Sequence, residues 1–184
     1  MKRCKNNCNI CPYVNVCKSV KSTYTDKTVP LNKEYDCQTQ NLVYLVHCKK
    51  CNDQYVGETK NTLKKRFTQH LGYVDSRDFR QATGRHFNLP GHQKSHMSIT
   101  VLEKIYTDDT AYRKRRESHY IEELNLKYRG MNRRRWLVLI ANKKFYVHLG
   151  TPTIFKNITP YCYDFYLKRK IFIDKEYIYV VWQV

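Results

Sequence analysis

Two tyrosines, an arginine and a histidine lie in one short stretch of the chain. Tyr44 is the centre of a VYL motif, Tyr55 opens a YVG motif, and Arg66 and His70 follow four residues apart. Phenols and imidazoles accept and donate protons, and a guanidinium donates paired hydrogen bonds to phosphate oxygens. Together these side chains predict a small site that cuts phosphodiester bonds.

A β-hairpin is predicted to carry the two tyrosines. Residues 41–47 are rich in β-branched, aromatic and leucine residues and are interpreted as a buried strand, with 54–57 as its partner and 48–53 as the turn. Side chains on one face of a hairpin meet across the strands, so the hydroxyl groups of Tyr44 and Tyr55 are expected to approach a common point. Strand tyrosines that only pack are the alternative reading.

A helix is predicted to carry Arg66 and His70. Asn61 is a suitable N-cap, and the helix is expected to end near Gly72. Residues four apart lie on one face of a helix, so Arg66 and His70 are expected to point in the same direction. The apolar positions that fit the helical period are Leu63, Phe67 and Leu71.

The segment after this helix supplies a carboxylate. Residues 75–98 are polar and rich in glycine and histidine, which predicts a loop, and 97–103 alternate as a third strand should. A second helix, capped by Asp108 or Asp109, is expected to run to about Leu126 and to carry Glu117. A single carboxylate suffices for Mg²⁺, which keeps most of its waters, although a glutamate among basic residues is also typical of a solvated helix surface.

The charge of the chain favours a polyanionic partner. The 184 residues carry 34 Lys and Arg against 16 Asp and Glu, a formal net charge of +18, and all but +4 of it precedes residue 136. Nucleic acid is the commonest partner of so basic a protein, while an ordinary charged surface is the alternative. The length fits one ordinary domain with extensions. Residues 136–184 hold 12 of the 25 aromatic residues and form a compositionally distinct tail.

Cysteine usage indicates zinc. Seven of the eight cysteines fall between Cys4 and Cys51 and are grouped closely. In a reducing compartment such groups suggest zinc before disulfides. A secreted disulfide scaffold is the rival, but the chain shows neither the apolar run of a signal peptide nor a membrane-spanning stretch, so we expect an intracellular, soluble protein that is not secreted and has no membrane partner.

Two zinc sites are predicted. The first combines Cys48 and Cys51 with His86 and His92, and His96 is an alternative to either histidine. The second is expected to use four of the leading cysteines. Its predicted ligands are Cys4, Cys8, Cys11 and Cys17, with Cys37 as a possible exchange for one of them.

The order of these motifs resembles the GIY-YIG nuclease superfamily over roughly residues 41–133, and it is most similar to the endonuclease domain of Penelope-like retroelements. The resemblance rests on the following residues: VYL, the Cys48 and Cys51 pair before QYVGET, Arg-x3-His, His86-Phe87 with His92, Arg116-Glu117 and a late Asn132. A repair or homing nuclease of the same superfamily lacks the cysteine pair and is the nearest competitor.

The resemblance implies a role for each matching residue. Tyr55 is expected to act as general base on the attacking water and Tyr44 to support it, although which phenol is the base stays open. Arg66 would stabilise the charge of the transition state, and His70 would bond the phosphate or assist proton transfer. Glu117 would hold one Mg²⁺ or Mn²⁺, and Asn132 matches the last catalytic position.

The resemblance also implies an α/β fold with a small, mostly antiparallel three-stranded sheet packed by helices. The leading cysteines add the expectation of a zinc-stapled N-terminal extension. We expect a Cys-rich lead-in (1–40), an endonuclease domain (41–135) and a tail of unknown role (136–184). The expected function is metal-dependent nicking of DNA, not conversion of a small molecule, in the nucleus and with a reverse transcriptase as partner in the parent element. A catalytically silent, zinc-stapled nucleic-acid-binding module is the alternative.

Overall fold

The structure is a computed structural model that describes residues 1–5, 7–127 and 129–132, and, as strands only, five later segments. It divides the chain into two compact units, Met1–Arg133 and Arg134–Val184. The strands are β1 (Ser19–Lys21), β2 (Thr28–Pro30), β3 (Gln40–Cys48), β4 (Gln54–Thr62), β5 (Met97–Lys104), β6 (Trp136–Ile140), β7 (Lys143–Val147), β8 (Cys162–Asp164), β9 (Arg169–Asp174) and β10 (Tyr177–Val180). The helices are α1 (Leu63–Asp75), α2 (Ala82–Phe87) and α3 (Thr110–Glu123), with 3-10 turns at Cys11–Tyr13 and Lys94–His96.

A three-stranded antiparallel sheet in the order β4-β3-β5 forms the centre of the first unit. This confirms the predicted fold class, and β3 and β5 lie where the sequence predicts strands. The hairpin partner is longer than predicted, because β4 continues to Thr62 instead of ending at Gly57. β3 is the central strand, and both of its faces are covered, which explains why almost all of its residues are apolar.

The two faces of β3 belong to two clusters of buried side chains. Leu42, Tyr44 and Val46 pack with Leu63 and Phe67 of α1. The alternate residues on β3 face the opposite way and pack with α3. This second cluster includes Val43, Leu45, Val56, Tyr120 and Leu124. The sheet therefore lies between helices, with the tyrosine side toward α1.

The ends of the two long helices differ from the predicted ends. The cap of α1 is Thr62, whose hydroxyl accepts from the Lys65 backbone N–H at 3.2 Å, because Asn61 still belongs to β4. The helix also continues past Gly72 to Asp75, since Val74 adds another buried position. Asp109 caps α3 as predicted, accepting from Ala111 N–H at 2.7 Å. That helix ends at Glu123, and Asn125 beyond it adopts a left-handed φ of 56°.

The predicted loop over 75–98 contains a helix, α2, so that part of the prediction is wrong. Its polar sequence lacks an apolar period, and packing on α1 holds it instead. The Asn88 side chain donates to Val74 O at 3.0 Å and to Gly84 O at 2.7 Å, which joins the ends of the two helices. At Gly84 the backbones approach so closely that an added Cβ would lie 2.8 Å from Tyr73 O.

The Cys-rich lead-in packs on the sheet, although its sequence shows few periodic apolar positions. Ile10 and Val14 are buried in the same cluster as Tyr44. Val14 forms a parallel bridge with Ile99, and Asn15 N–H donates to Ile99 O at 2.9 Å. The lead-in thus covers the outer edge of β5, and its first strands form a separate hairpin of β1 with β2.

In the second unit, β6 pairs with β7, and β10, β9 and β8 form an antiparallel sheet. The predicted boundaries between lead-in, endonuclease domain and tail stay predictions. Among the helices of the described residues, none is long and apolar enough to cross a membrane.

Replacing Gly84 with alanine should destabilise the first unit by about 1–3 kcal/mol, because the new methyl group meets backbone oxygen atoms that cannot rotate away. Chemical denaturation of the zinc-loaded protein, followed by circular dichroism, would measure this loss.

The matched control is Gly72→Ala in α1, where an added Cβ meets nothing within 4 Å. This substitution should stabilise the helix by about 0.5–1 kcal/mol, because alanine restricts the unfolded chain more than glycine does. Equal effects of the two substitutions would contradict the close packing of α2.

Candidate active site and metal centres

The two tyrosines lie on one face of the β3–β4 hairpin, as the sequence predicts. Tyr44 pairs with Gly57, and Tyr55 lies two residues before that glycine, so both rings rise from the same side. Their centroids are 6.4 Å apart. A Cβ at Gly57 would lie 2.5 Å from Tyr44 Oη and 2.9 Å from Tyr55 Cε1, so the tyrosine pair requires glycine at this position.

Helix α1 brings Arg66 and His70 to the hydroxyl of Tyr44. Arg66 Nε donates to Tyr44 Oη at 2.8 Å, and His70 Nε2 lies 2.8 Å from the same oxygen. The four-residue spacing places both side chains on one helix face above the sheet. The structure therefore brings four of the predicted catalytic residues together.

His70 has no ring nitrogen left for a phosphate. It is 2 % exposed, and its Nδ1 lies 2.8 Å from the hydroxyl of Thr83 on α2. Burial, reinforced by the Arg66 charge, lowers the pKa of His70 to about 3, so the ring is neutral. Both ring nitrogens of His70 thus have partners within the protein, and its predicted role, on the phosphate or in proton transfer, stays a prediction. Sequence reasoning missed Thr83 because α2 lacks a periodic signal.

The two phenols differ in their access to solvent. Tyr44 is fully buried, and burial raises its pKa well above the ordinary value of 10.0. Burial also raises the pKa of Tyr55, while the charge of Arg66 lowers it. Tyr55 is nevertheless partly exposed. It is the phenol that a water molecule can reach.

Glu117 lies half-buried on α3, within electrostatic range of Arg66 and both phenols. Burial and the nearby Glu58 carboxylate raise its pKa, and a backbone hydrogen bond from Glu58 with the charges of Arg66 and Lys114 acts in the opposite direction. Burial and a like charge both destabilise a carboxylate, and a hard cation bound to its oxygen atoms would offset that cost.

Glu58 is held by Arg113, a residue the sequence did not single out as part of the site. Arg113 is 4 % exposed, its Nε donates to Glu58 Oε2, and its Nη1 donates to Asn41 Oδ1 at 2.8 Å. Residues 113–116 are four consecutive basic residues, and the burial of Arg113 shows that they are not one exposed patch. Arg116 also binds a carboxylate, Glu103, at 2.7 Å. A second run of basic residues, 133–135, lies outside the described residues.

Asn132 lies at the outer edge of β4 and contacts backbone. Its Oδ1 accepts from Val56 N–H at 2.6 Å, and its Nδ2 donates to Val56 O at 2.7 Å. Both of its polar atoms are thereby used between Tyr55 and Gly57. In the structure Asn132 holds the edge strand, and its catalytic role stays a prediction.

Cys48, Cys51, His86 and His92 converge as predicted, with all four ligand atoms within 4.8 Å of one another. His86 Nε2 and His92 Nε2 lie 3.4 and 3.5 Å from Cys51 Sγ. Tetrahedral zinc separates sulfur and nitrogen ligands by about 3.5 Å, so the residues fit the ion. His96 is not in this group, since its Nδ1 accepts from Gln93 N–H at 3.2 Å.

The second ring nitrogen of each histidine ligand also has a partner. His86 Nδ1 lies 3.4 Å from Asp53 Oδ2, and His92 Nδ1 lies 3.4 Å from Pro90 O. Zinc-binding histidines regularly donate this second N–H to a carboxylate or carbonyl oxygen, which orients the ring. Asp53 is thus a further residue of the centre that the sequence did not indicate.

The second cluster consists of Cys4, Cys8, Cys11 and Cys37, again within 4.8 Å. Cys11 Sγ lies 3.3, 3.7 and 3.6 Å from the sulfur atoms of the other three, close to the separation of about 3.8 Å in a Zn–Cys4 site. A backbone hydrogen bond from Cys8 lowers the pKa of Cys4 to about 7, which favours the thiolate that metals bind.

Cys17 does not belong to this cluster, so the predicted ligand set was wrong at one position. Its Sγ lies 4.0 Å from Thr100 Oγ1, because the chain between Cys11 and Cys17 follows the edge of β5. Cys37, which precedes β3 by a short turn, takes its place, which is the exchange that the sequence left open.

A model of the GIY-YIG catalytic domain family matches residues 40–132, from the first residue of β3 to Asn132. The match contains the two tyrosines, Arg66, Glu117 and the Cys2His2 cluster. The four cysteines of the N-terminal cluster precede it. Comparisons with curated proteins and with solved structures find no match.

Cys37→Ser should lower the zinc content of the purified, reduced protein by about one ion per chain, because a tetrahedral site loses one of its four ligands. Elemental analysis gives the stoichiometry directly.

Cys17→Ser is the matched control and should leave the zinc content unchanged. Loss of zinc from Cys17→Ser but not from Cys37→Ser would restore the predicted ligand set and contradict the structure.

Proposed function

This chain belongs to the GIY-YIG family, and from that premise we propose that it is a DNA endonuclease that hydrolyses phosphodiester bonds with a divalent cation. The family supports a nuclease in general. The observation that carries the proposal is that Arg66 bonds the Tyr44 hydroxyl while Glu117 of α3 lies within electrostatic range of Arg66 and of both phenols. A basic chain with a net charge of +18 suits a polyanionic substrate.

Tyr55 is the general base of the proposed reaction. It is the more exposed of the two phenols, whereas the Tyr44 hydroxyl is committed to His70. The Arg66 charge favours its phenolate form, which opposes the effect of burial. Tyr55 would take a proton from the attacking water, and Tyr44 would hold the surrounding groups in place.

Arg66 stabilises the charge that builds on the phosphate. A guanidinium has five N–H donors, of which Tyr44 takes one and Gln69 takes another at 3.2 Å. Donors on the same rigid plane remain for phosphate oxygens, and their position is set before the substrate arrives.

Glu117 would hold the catalytic Mg²⁺ or Mn²⁺, with Glu58 nearby and restrained by Arg113. The bound cation would supply positive charge beside the scissile phosphate. The two cysteine-containing clusters would hold structural Zn²⁺, since each consists of four protein ligands with no open position.

Within the family, we assign the chain to the Penelope-like retroelement branch. What supports this is the pair Cys48 and Cys51 between the tyrosine motifs, which joins His86 and His92 in one cluster. The reaction would then be a nick that supplies a primer end for a reverse transcriptase, and the site of action would be the nucleus. A catalytically silent nucleic-acid-binding module is the alternative outcome of the first experiment.

Glu117→Gln should reduce Mg²⁺- or Mn²⁺-dependent nicking of supercoiled plasmid on the order of 10²-fold, because a neutral amide holds the cation poorly and several kcal/mol of transition-state stabilisation are lost. Agarose gels that follow the relaxed circle over time give the rate.

Glu122→Gln removes the same charge from an exposed position of α3 and is the control, with nicking expected to be unchanged. Equal cutting by Glu117→Gln and the parent would place the cation elsewhere. Failure of every variant and of the parent to cut, with DNA binding intact, would favour the silent binding module.

The nicking rate should rise with pH from neutrality toward pH 9. Burial raises the pKa of Tyr55, so its phenol is protonated at neutral pH and the reactive phenolate increases as the pH rises. Because the pKa values of Tyr44 and Tyr55 are raised, the contribution of these two side chains to folding stability is full below about pH 10 and is lost above it, which sets the upper limit of the assay.

Tyr55→Phe should abolish this rise together with most of the activity, while Tyr112→Phe, an exposed tyrosine of α3, should keep the parent profile. A flat profile of the parent protein would count against a phenol as the base.

A further inference from the structure

A row of buried hydrogen bonds leads from Arg66 through Tyr44 and His70 to Thr83. We propose that Thr83 is a positioning residue of this nuclease: its hydroxyl determines which ring nitrogen of His70 carries the proton and thereby orients the Tyr44 hydroxyl. The inference deepens the proposed function and rests on it for the effect on rate, whereas the effect on His70 itself does not.

The directions of these hydrogen bonds follow from the chemistry of the groups. Arg66 Nε can only donate, so Tyr44 Oη accepts from it at 2.8 Å. A neutral Tyr44 then directs its own O–H to His70 Nε2, 2.8 Å away. The single proton of a neutral His70 is therefore on Nδ1, and it is donated to Thr83 Oγ1 at 2.8 Å.

Burial makes this arrangement obligatory. Tyr44 and Thr83 are both 0 % exposed and His70 is 2 % exposed, so water cannot replace a missing partner. A buried polar group without a hydrogen bond is costly, and an N–H left unpaired at Nδ1 favours transfer of the proton to the other nitrogen. In that tautomer His70 Nε2 competes with the Tyr44 proton instead of accepting it.

The position of Thr83 is itself fixed from two sides. Gly84 and Asn88 join α2 to the C-terminal end of α1. His70 lies on α1, one turn before the residue that Asn88 bonds. His86 of the Cys2His2 cluster lies three residues after Thr83, on the same face of α2. The proposed zinc centre and the tyrosine site therefore share one short helix.

The test compares three variants of the full, zinc-loaded chain: Thr83→Val, Thr83→Ser and Thr100→Val. Valine has the shape of threonine without its hydroxyl, and serine keeps the hydroxyl. Thr100 is a control for loss of a buried hydroxyl, being 2 % exposed on β5 and bonded to Asn15 O at 3.2 Å. Long-range ¹H–¹⁵N spectra of His70 report its tautomer, and plasmid nicking gives kcat and KM.

In the parent, Thr83→Ser and Thr100→Val we expect the His70 proton on Nδ1. In Thr83→Val we expect the proton to move to Nε2 or to exchange between the nitrogens. The kcat for nicking should then fall about 10- to 100-fold, the usual effect of removing an outer hydrogen-bond partner, with KM for DNA and zinc content unchanged.

An unchanged His70 pattern in Thr83→Val would overturn the proposal, and so would an equal loss of kcat in folded Thr83→Ser. If the His70 pattern changes as expected but the parent cuts no DNA, the role of Thr83 stands and the proposed nuclease function fails. The two failures are thus distinguishable in one series of samples.

Discussion

The buried hydroxyl of Tyr44 is the constraint on which the rest of the site depends. A phenol oxygen with no access to water must find its partners within the protein. Arg66 and His70 provide them at 2.8 Å each, which fixes the rotation of α1 over the sheet. The ring can lie across the hairpin only because Gly57 has no side chain. His70 in turn needs a partner for its second nitrogen, and Thr83 supplies it from α2.

Among the carboxylates around the site, Glu58 and Glu103 are each bound by an arginine of α3. Arg113, almost fully buried, binds Glu58, and Arg116 binds Glu103, so two of the basic residues of α3 are occupied within the protein. Glu117 directly follows Arg116 on the same helix, half-buried and close to Glu58. Removing either arginine would leave a partly buried carboxylate without its counter-charge, and the electrostatics around Glu117 would change with it.

The two cysteine-containing clusters lie where the chain has little packing of its own. The lead-in has few apolar residues, yet it must cover the edge of β5, where an unpaired strand would invite association with other chains. Four cysteines from both ends of the lead-in can fix it there, and Cys37 joins that cluster to the start of β3. The Cys2His2 cluster does the same for the β3–β4 turn and α2, whose own packing is limited to a few close contacts.

The sequence by itself determined the local elements and most residues of the candidate site. The residue types of β3, the alternation of β5, the helical period of α1 and the capping aspartate of α3 placed these four elements. Motif order placed Tyr44, Tyr55, Arg66, His70 and Glu117, because all these signals depend on neighbours along the chain. Only the tertiary structure decided that Cys37 replaces Cys17, that α2 is a helix, that Asn132 holds a strand edge, and that Thr83, Asp53 and Arg113 support the site. Each of these follows from contacts between residues distant in sequence, where burial and close packing select the partner and no local periodicity records it.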